Sequence, residues 1–410
     1  MADSLEWETV LKENRRVEEE MTLPPLFWKG VSLSRKPTFQ ICGKLAFLIY
    51  PLYAPGVKAI WRKMIDSFGR EIDYLRISVT DRCNLRCVYC MPAHGIIHKQ
   101  PSDILSFEQI YSIVKAAVGL GIRKVRITGG EPLVRKDLPA LIAELKTING
   151  LKEICLTTNG IYLSEYALAI KEAGLDRINI SLDSLNKEKF RKITQGGNLE
   201  MVLSGIDRAL AAGLAPLKIN NVLLKDFNTD EIADFANLTK ARPLHVRFIE
   251  YMPTGLHGFC ADVLGLGHGS YDDIFLSAQE AKNICRSVGE LEPVEQGTAD
   301  TAEVFKIRGF LGSVGFISPI SRPFCASCNK LRLTSEGRLR NCLHSSKTID
   351  LKKAFANNNS QDELAALIQE AISLKPEFHN LPGHHKDEKN NPLVPIGLEA
   401  ENFSMCQIGG

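Results

Sequence analysis

The sequence predicts an α/β protein built around a parallel β-sheet with helices on its outside. Three observations lead to this prediction: six short apolar or β-branched runs, a polar or Gly-rich turn after each, and amphipathic helix-length segments between them. The pattern extends from about residue 72 to residue 250. Six β/α units in succession form either an open doubly wound sheet or a barrel, complete or partial.

The six predicted strands consist mainly of β-branched and other apolar residues. They lie at 74–79, 124–129, 153–158, 177–182, 216–224 and 245–251. In either architecture, the loops that leave the carboxyl ends of the strands line the working face. Candidate functional residues are therefore sought in these loops.

Two helices begin with the spacing of a capping box, in which a hydroxyl and a side chain three residues later satisfy each other's backbone amides. These are Ser106 with Gln109 at the start of a helix predicted at 106–121, and Ser360 with Glu363 before one at about 361–373.

The pattern changes after residue 251, where we predict a C-terminal extension. The Gly-rich residues 255–270 are interpreted as a mobile loop, and residues 302–341 as a small antiparallel appendage of short strands. Turns in this appendage are expected at Gly309, Gly312 and Gly337.

Composition is that of an ordinary globular protein whose specialised sites are local. Of 410 residues, 44% are hydrophobic and 24% are charged, and the formal net charge is +2. This balance does not point to nucleic acid or an anionic membrane. The most apolar early stretch, 41–57, contains Lys44 and two prolines. It is shorter than the roughly 20 residues of a membrane helix, so no membrane span is predicted.

The eleven cysteines are an odd number and cluster unevenly, so a disulfide framework is not expected. The N-terminus lacks the features of a secretory signal, and its first twenty residues are too acidic for a transit peptide. We therefore expect a cytoplasmic protein. Six cysteines form two groups, which we name the first triplet (Cys83, Cys87 and Cys90) and the second triplet (Cys325, Cys328 and Cys342).

The first triplet follows the first predicted strand and has CxxxCxxC spacing. A structural zinc site takes four ligands, usually supplied as two pairs. A cubane iron–sulfur cluster has four irons that each accept a thiolate, so three cysteines leave one iron open. The spacing therefore favours an iron–sulfur cluster over zinc or a loop without metal.

The segment DRCNLRCVYCMP, residues 81–92, resembles the cluster loop of the radical S-adenosylmethionine (SAM) superfamily. TGGEP at 128–132, after the second strand, is similar to the superfamily turn that holds the SAM amino group. The resemblance implies a [4Fe–4S] cluster on the first triplet, with SAM bound to its open iron. It also implies SAM contacts from Tyr89, Gly130, Ser181 and Met252.

The second triplet combines CxxC with a cysteine thirteen residues later, and His344 follows it closely. Spacing alone leaves a Cys₃His zinc site and an iron–sulfur cluster both open. The flanking sequence SRPFCASCNKLRLTSEGRLRNCL, residues 321–343, resembles the second-cluster segment of the GTP 3′,8-cyclases of molybdenum cofactor biosynthesis. That resemblance implies a second [4Fe–4S] cluster, whose open iron binds the guanine base of GTP.

The resemblance to this family extends from about residue 66 to 255, resumes from about 303 to 345, and returns in the terminal IGG. It implies GTP contacts from Arg76, Lys124, Arg126, Thr157, Lys218, Arg247, Lys330 and Arg332. It also implies that the terminal Gly409 and Gly410 enter the active site and are needed for turnover. Lys330 stands where the family usually has Arg, which keeps the charge but loses the bidentate fork.

These contacts make chemical sense for a triphosphate, which carries about four negative charges and needs local cations in a nearly neutral protein. Arg126, Lys218 and Arg247 lie within strands of a sheet that is predicted to be buried. An unpartnered cation is costly there, so an anionic ligand is a plausible partner.

The resemblance implies a partial (β/α)₆ TIM-type barrel, the radical SAM core, with a small C-terminal extension that carries a second Fe–S cluster. We expect four regions along the chain. They are an N-terminal extension of unknown role at 1–65, the partial barrel at 66–255, a loop and auxiliary-cluster region at 256–345, and a C-terminal helix, linker and Gly-Gly tail at 346–410.

The implied reaction converts GTP to (8S)-3′,8-cyclo-7,8-dihydroguanosine 5′-triphosphate after a 5′-deoxyadenosyl radical abstracts H3′. The implied partners are a low-potential electron donor of the flavodoxin or ferredoxin type and a downstream cyclic pyranopterin monophosphate synthase, and a homodimer is compatible with the sequence. Two alternatives stay open: another radical SAM enzyme with an auxiliary cluster, such as a peptide maturase, and a non-enzymatic protein with zinc in both triplets.

Overall fold

The computed structural model describes residues 63–92, 94–252, 257–266, 270–295, 301–356 and 360–379. The predictions for the N-terminal extension, the linker, Gly409 and Gly410 lie outside these residues.

Twelve strands in the described part of the chain form one sheet. They are β1 (Tyr74–Ser78), β2 (Lys124–Thr128), β3 (Glu153–Thr158), β4 (Arg177–Ser181), β5 (Leu217–Leu223), β6 (Leu244–Glu250), β7 (Leu291–Pro293), β8 (Glu303–Ile307), β9 (Ser313–Ile317), β10 (Lys330–Leu333), β11 (Arg338–Arg340) and β12 (Thr348–Asp350). Their order across the sheet is β12-β11-β10-β1-β2-β3-β4-β5-β6-β9-β8-β7. The sheet therefore has ends at β12 and β7.

Eleven helices accompany the sheet in the described residues. They are α1 (Phe107–Leu120), α2 (Leu138–Lys146), α3 (Leu163–Glu172), α4 (Lys187–Thr194), α5 (Leu199–Ala211), α6 (Ile232–Asn237), α7 (His257–Leu264), α8 (Tyr271–Ile274), α9 (Ala278–Val288), α10 (Lys353–Ala356) and α11 (Gln361–Ser373). The Ser106–Gln109 capping box starts α1 as predicted. At α11 the Ser360 hydroxyl accepts a hydrogen bond from the Glu363 amide.

Strands β1 to β6 confirm the six predicted strands, and their ends agree with the sequence prediction to within one residue. All of them are parallel to their neighbours. Helices connect successive strands, which is the arrangement that parallel strands require. The predicted partial (β/α)₆ core is therefore present.

The two faces of this sheet differ in polarity because successive side chains along a strand point to opposite sides. On β1, Leu75 and Ile77 belong to the hydrophobic core beneath the helices, whereas Tyr74 and Arg76 line a cavity on the other face. A parallel sheet is ordinarily apolar on both faces. The polar inner face is therefore the candidate working surface.

The prediction of a small antiparallel appendage is wrong in one respect. Its strands β9 and β10 continue the central sheet, with β9 parallel to β6 and β10 parallel to β1. Only the outer pairs, β7 with β8, β8 with β9, β10 with β11, and β11 with β12, are antiparallel. The extension pairs with the backbone groups at both edges of the six-stranded core, which would otherwise be left open.

The predicted turns at Gly309 and Gly337 are present, with φ values of +80° and +91°. The prediction of a mobile loop at 255–270 is wrong for residues 257–264, which form helix α7. In the described residues, every helix is too short or too polar to cross a bilayer.

Candidate active site

The inner face of the sheet borders a cavity of about 740 Å³. Eighteen of the twenty predicted site residues line this cavity. The other two, Gly409 and Gly410, lie outside the described residues. Ten Lys and Arg side chains but only three carboxylates contribute to the lining. The cavity is thus a local basic site in a chain whose net charge is only +2.

The first triplet occupies the loop after β1, and its three cysteines are partly exposed and form no disulfide. A tight turn brings the Cys90 amide to the Cys87 carbonyl oxygen at 2.8 Å. The Arg86 amide donates to the Thr194 carbonyl oxygen at the end of α4, at 3.1 Å. The Arg86 guanidinium donates to the Cys83 carbonyl oxygen at 2.7 Å. These bonds fix the loop against α4.

The two glycines of TGGEP pack against the chain that leads into the first triplet. A Cβ atom on Gly129, whose φ is +145°, would lie 2.5 Å from the Thr80 carbonyl oxygen. One on Gly130 would lie 2.2 Å from the Arg82 carbonyl oxygen. Both approaches are closer than any side chain allows, so this turn requires glycine.

Glu131, the next residue, is a buried carboxylate that sequence reasoning did not single out. It accepts hydrogen bonds from the Thr158 hydroxyl and the Asn159 amide, both at 2.7 Å. Burial raises the pKa of Glu131 to about 7. The Asn159 side-chain amide lies 3.9 Å from the Cys83 sulfur, so these residues connect the end of β3 to the first triplet.

Tyr89, a predicted SAM contact, has a partner that sequence reasoning also missed. Its hydroxyl donates to the Asp183 carboxylate at 2.6 Å, and that carboxylate accepts from the Val222 amide at 2.8 Å. Burial raises the pKa of Asp183 to about 6. Ser181 and Met252, the remaining predicted SAM contacts apart from Gly130, line the same cavity.

The predicted GTP contacts form rows across neighbouring strands. Arg332, Arg76 and Arg126 occupy paired positions on β10, β1 and β2. Burial, with the nearby charge of Arg76, lowers the pKa of Arg332 to about 9. Three adjacent guanidinium groups at a buried site repel one another, so an anion between them would relieve the repulsion.

Tyr74 separates the two lysines of the next row, Lys330 and Lys124. Their ammonium groups lie 5.7 and 5.1 Å from its ring centroid, which is within cation–π range. The Tyr74 hydroxyl also accepts a hydrogen bond from the Arg126 guanidinium. Tyr74 could not be singled out from the sequence, because an aromatic residue at the start of a strand is usually part of the hydrophobic core.

The other predicted contacts lie on β3, β5 and β6. The Thr157 hydroxyl is 3.4 Å from the Arg126 guanidinium. Lys218 lines the cavity on β5. Arg247 donates twice to the Asn220 side-chain oxygen, at 3.0 and 2.6 Å. The amide of Asn220 therefore fixes the plane of that guanidinium.

The second triplet lies at the opposite end of the strands from the first. Cys325 and Cys328 bracket one turn of 3₁₀ helix just before β10, and Cys342 comes just after β11. Because Lys330 pairs with Tyr74, the second triplet lies near the start of β1 and the first triplet lies beyond its end. The strand itself spans about 13 Å, four residues of strand rise. Burial opposes ionisation of the Cys328 thiol, but Lys375 and Lys330 bring its pKa below the usual value.

Arg70 anchors the second triplet to the last described residues. Its guanidinium forms a buried ion pair with Asp66 at 2.6 Å. It also donates to the carbonyl oxygens of Cys325 and Glu377, each at 2.9 Å, and of Pro376 at 2.7 Å. One side chain therefore joins the chain before β1, the second triplet and the segment after α11.

We expect Arg70→Met to lower the free energy of unfolding by about 3–5 kcal/mol, since the Asp66 carboxylate would stay buried without its counter-ion. Denaturant unfolding measures this loss. The matched control is Lys63→Met, which removes an ion pair with Glu71 that is 70% and 45% exposed and is expected to leave the free energy of unfolding nearly unchanged. Equal losses in the two variants would contradict the anchoring role of Arg70.

The donor sets fit [4Fe–4S] clusters. Each triplet supplies three cysteines, and a cubane cluster binds each thiolate through a different iron. In the described residues, no group of three His, Cys, Asp or Glu side chains is placed to hold a single metal ion. All six cysteines line the cavity, and none of them forms a disulfide.

Residues 77–239 match the family model of the radical SAM superfamily, and residues 244–381 match that of Molybdenum Cofactor Synthesis C. The fold and both cysteine sites thus define a radical SAM protein. The GTP 3′,8-cyclase of Moorella thermoacetica is 49% identical over 348 residues, which cover 85% of this chain and 100% of the relative. That of Clostridium botulinum strain Hall is 45% identical over 334 residues, covering 82% and 100%. The chain belongs to the GTP 3′,8-cyclase family, and its cofactors are [4Fe–4S] clusters and SAM.

Among solved structures, Streptococcus suis SuiB bound to S-adenosylmethionine is similar at 14% identity with a TM-score of 0.46. The similarity covers 72% of this chain and 67% of SuiB.

Proposed function

We propose that this protein is a lyase, a radical SAM GTP 3′,8-cyclase. It converts GTP to (8S)-3′,8-cyclo-7,8-dihydroguanosine 5′-triphosphate, the first step of molybdenum cofactor biosynthesis. One observation carries the proposal: a single cavity has a cysteine triplet at each end and a large excess of basic side chains along its walls. A nucleoside triphosphate, with about four negative charges, matches that lining. A peptide substrate, as in the peptide maturase alternative, does not require it.

We assign the first triplet to the cluster that binds SAM and the second triplet to the cluster that binds the guanine base. The SAM contacts are Tyr89, Gly130, Ser181 and Met252. The GTP contacts are Arg76, Lys124, Arg126, Thr157, Lys218, Arg247, Lys330 and Arg332. We infer that Gly409 and Gly410 enter the active site during turnover.

When bound, SAM and the reduced first cluster supply a radical that abstracts hydrogen. The side chains around the cavity position the substrate for that step. Lys330 and Arg332 lie on β10 directly after Cys328, so one short segment contributes to binding both the second cluster and the anion. Asn220 already orients the Arg247 guanidinium, so less side-chain entropy is lost when the substrate binds.

The test is an anaerobic reaction of the reduced protein with SAM and GTP, followed by mass analysis. We expect 5′-deoxyadenosine and the cyclised nucleotide to form together. Formation of 5′-deoxyadenosine without loss of GTP would reject the cyclase assignment and leave the radical SAM class intact. Bound zinc in place of iron after anaerobic purification would reject both.

We further infer that a low-potential electron donor of the flavodoxin or ferredoxin type reduces the first cluster, and that a cyclic pyranopterin monophosphate synthase consumes the product. We also infer a cytoplasmic location, where a reducing environment keeps thiols out of disulfides, and none of the nine described cysteines forms a disulfide. A homodimer is a further expectation, which sedimentation velocity tests.

A further inference from the structure

A buried amide lies in the wall of the cavity, between the residues assigned to SAM and those assigned to GTP. Asn179 is on β4, is only 4% exposed and lines the cavity. Among the described residues, its side-chain oxygen has no hydrogen-bond partner. Buried polar groups are almost always hydrogen-bonded, so an unpartnered one requires a reason. A cavity that takes a ligand supplies one, because the ligand can be the missing partner.

Two asparagines on β5 show what distinguishes Asn179. The side-chain oxygen of Asn220 accepts two hydrogen bonds from the Arg247 guanidinium, so it is satisfied within the chain. Asn221 also has a side-chain oxygen without a partner in the described part of the chain, but it points to the opposite face of the strand and does not line the cavity. Of these three amides, only that of Asn179 combines an unpartnered oxygen with a place in the cavity wall.

The register of the sheet places Asn179 at the boundary between the two ligands. It pairs with Thr157 on β3 and with Lys218 on β5, both of which we assign to GTP. Ser181, which we assign to SAM, lies two residues further along the same face of β4, about 7 Å away along the strand. The proposed reaction brings C3′ of the GTP ribose next to the radical derived from SAM. The ribose is therefore the part of GTP that belongs at this boundary.

The hydrogen-bonding groups of the nucleotide agree with this placement. Ionised phosphate oxygens only accept hydrogen bonds, so they match the Lys and Arg side chains but cannot satisfy an amide oxygen. A ribose hydroxyl both donates and accepts, so it complements either atom of the carboxamide. The guanine base also carries donors, but we assign it to the second triplet beside the start of β1, and β4 is three strands away from β1 in the sheet.

We propose that Asn179 hydrogen-bonds a ribose hydroxyl of the nucleotide and makes the cavity specific for an intact ribose. The inference rests on the proposed function, because it requires GTP in this cavity. The contact holds the ribose beside Ser181 and so keeps C3′ at the SAM end of the site. A nucleotide without that hydroxyl leaves the Asn179 oxygen buried and unpaired, and this cost is the source of the specificity.

The test measures the binding of GTP, 2′-deoxy-GTP and 3′-deoxy-GTP to the anaerobic holoenzyme without SAM, by equilibrium dialysis. We expect the wild type to bind at least one deoxy analogue about tenfold more weakly than GTP, since a buried acceptor loses its hydrogen bond. In Asn179→Ala this preference should fall to within about twofold, the range in which independent changes are additive. The analogue whose discrimination disappears identifies the hydroxyl that Asn179 contacts.

The matched control is Asn221→Ala, the same substitution at an unpartnered amide on the opposite face of the sheet. It should keep the wild-type preference. Asn179→Leu keeps the shape of the side chain without its hydrogen bonds, and it should lose the preference as Asn179→Ala does. It provides the second measurement if the smaller side chain costs the protein its clusters. The proposal would be overturned by a wild-type preference in both Asn179 variants, by loss of the preference in the control, or by a wild type that binds all three nucleotides equally.

Two further ligands test the other possible partners of the amide. Inosine triphosphate lacks the 2-amino group of guanine. If the Asn179 variants changed the preference for GTP over inosine triphosphate and left the ribose preference intact, Asn179 would face the base and the proposal would fail. It would fail equally if they weakened the binding of SAM alone.

Failure of the inference is distinguishable from failure of the proposed function. A wild type that neither binds nor cyclises GTP would reject the proposed function. A wild type that cyclises GTP, together with Asn179 variants that keep its ribose preference, would reject only the role of Asn179.

Discussion

Cys342→Ala is expected to abolish cyclisation of GTP and to lower the iron content from about eight to about four atoms per chain. Cys342 is one of only three thiols in the second triplet, and the remaining two come from a single turn before β10. The first triplet lies at the other end of β1, so its cluster should remain. Iron analysis and electron paramagnetic resonance of the anaerobically reduced protein measure both effects.

The control for this variant is Cys285→Ala, which changes a buried cysteine of α9 outside both triplets. It should keep all its iron and its cyclase activity and lose only about 1 kcal/mol of stability. In Cys342→Ala, SAM should still be cleaved in the presence of GTP, without cyclised product. Retained cyclisation would show that the second triplet does not position the substrate.

Gly130→Ala is expected to abolish detectable SAM cleavage. The added methyl group would lie 2.2 Å from the Arg82 carbonyl oxygen, and this is a backbone atom that cannot rotate away. The turn or the 80–82 segment must therefore move, and that segment leads directly into Cys83. We expect a stability loss of about 3 kcal/mol, at the upper end for an overpacked site. Denaturant unfolding and calorimetric SAM binding measure the two losses separately.

Gly119→Ala is the matched control. Gly119 lies in α1, and a Cβ atom there would have nothing within 4 Å. Because Ala favours a helix over Gly by up to about 1 kcal/mol, this variant should be as stable as the wild type or slightly more so. If Gly130→Ala bound and cleaved SAM like Gly119→Ala, the turn after β2 would not be part of the cofactor site.

The strands of the core could be predicted from the sequence because each is a short apolar or β-branched run bounded by turns. The pairing of β10 with β1 could not, since Tyr74 and Lys330 are distant in the chain and no local pattern connects them. The same limit applies within the site. Asp183 is 94 residues from Tyr89, and its role depends on a hydrogen bond that only the folded sheet brings about.

Helix α7 could not be predicted from its Gly-rich sequence, because its stability comes from tertiary packing. Cys260 and Leu264 are buried in a small apolar cluster that includes Val88 of the first-triplet loop and Tyr251. Tertiary packing of this kind stabilises a helix whose local sequence does not favour one. The cluster also places α7 against the loop that holds the first triplet.

The attachment of the C-terminal extension to both edges of the core bears on how the chain matures during synthesis. The β1 edge is covered by β10 and the β6 edge by β9, so a fragment that ended at about residue 255 would display two bare strand edges. Such edges are templates for aggregation. The ribosome must therefore synthesise the chain beyond Leu333 before β1 can pair with β10, its second neighbour in the sheet. The radical SAM core is therefore not expected to be soluble when it is separated from the C-terminal extension, because strands β9 and β10 of that extension cover its edges.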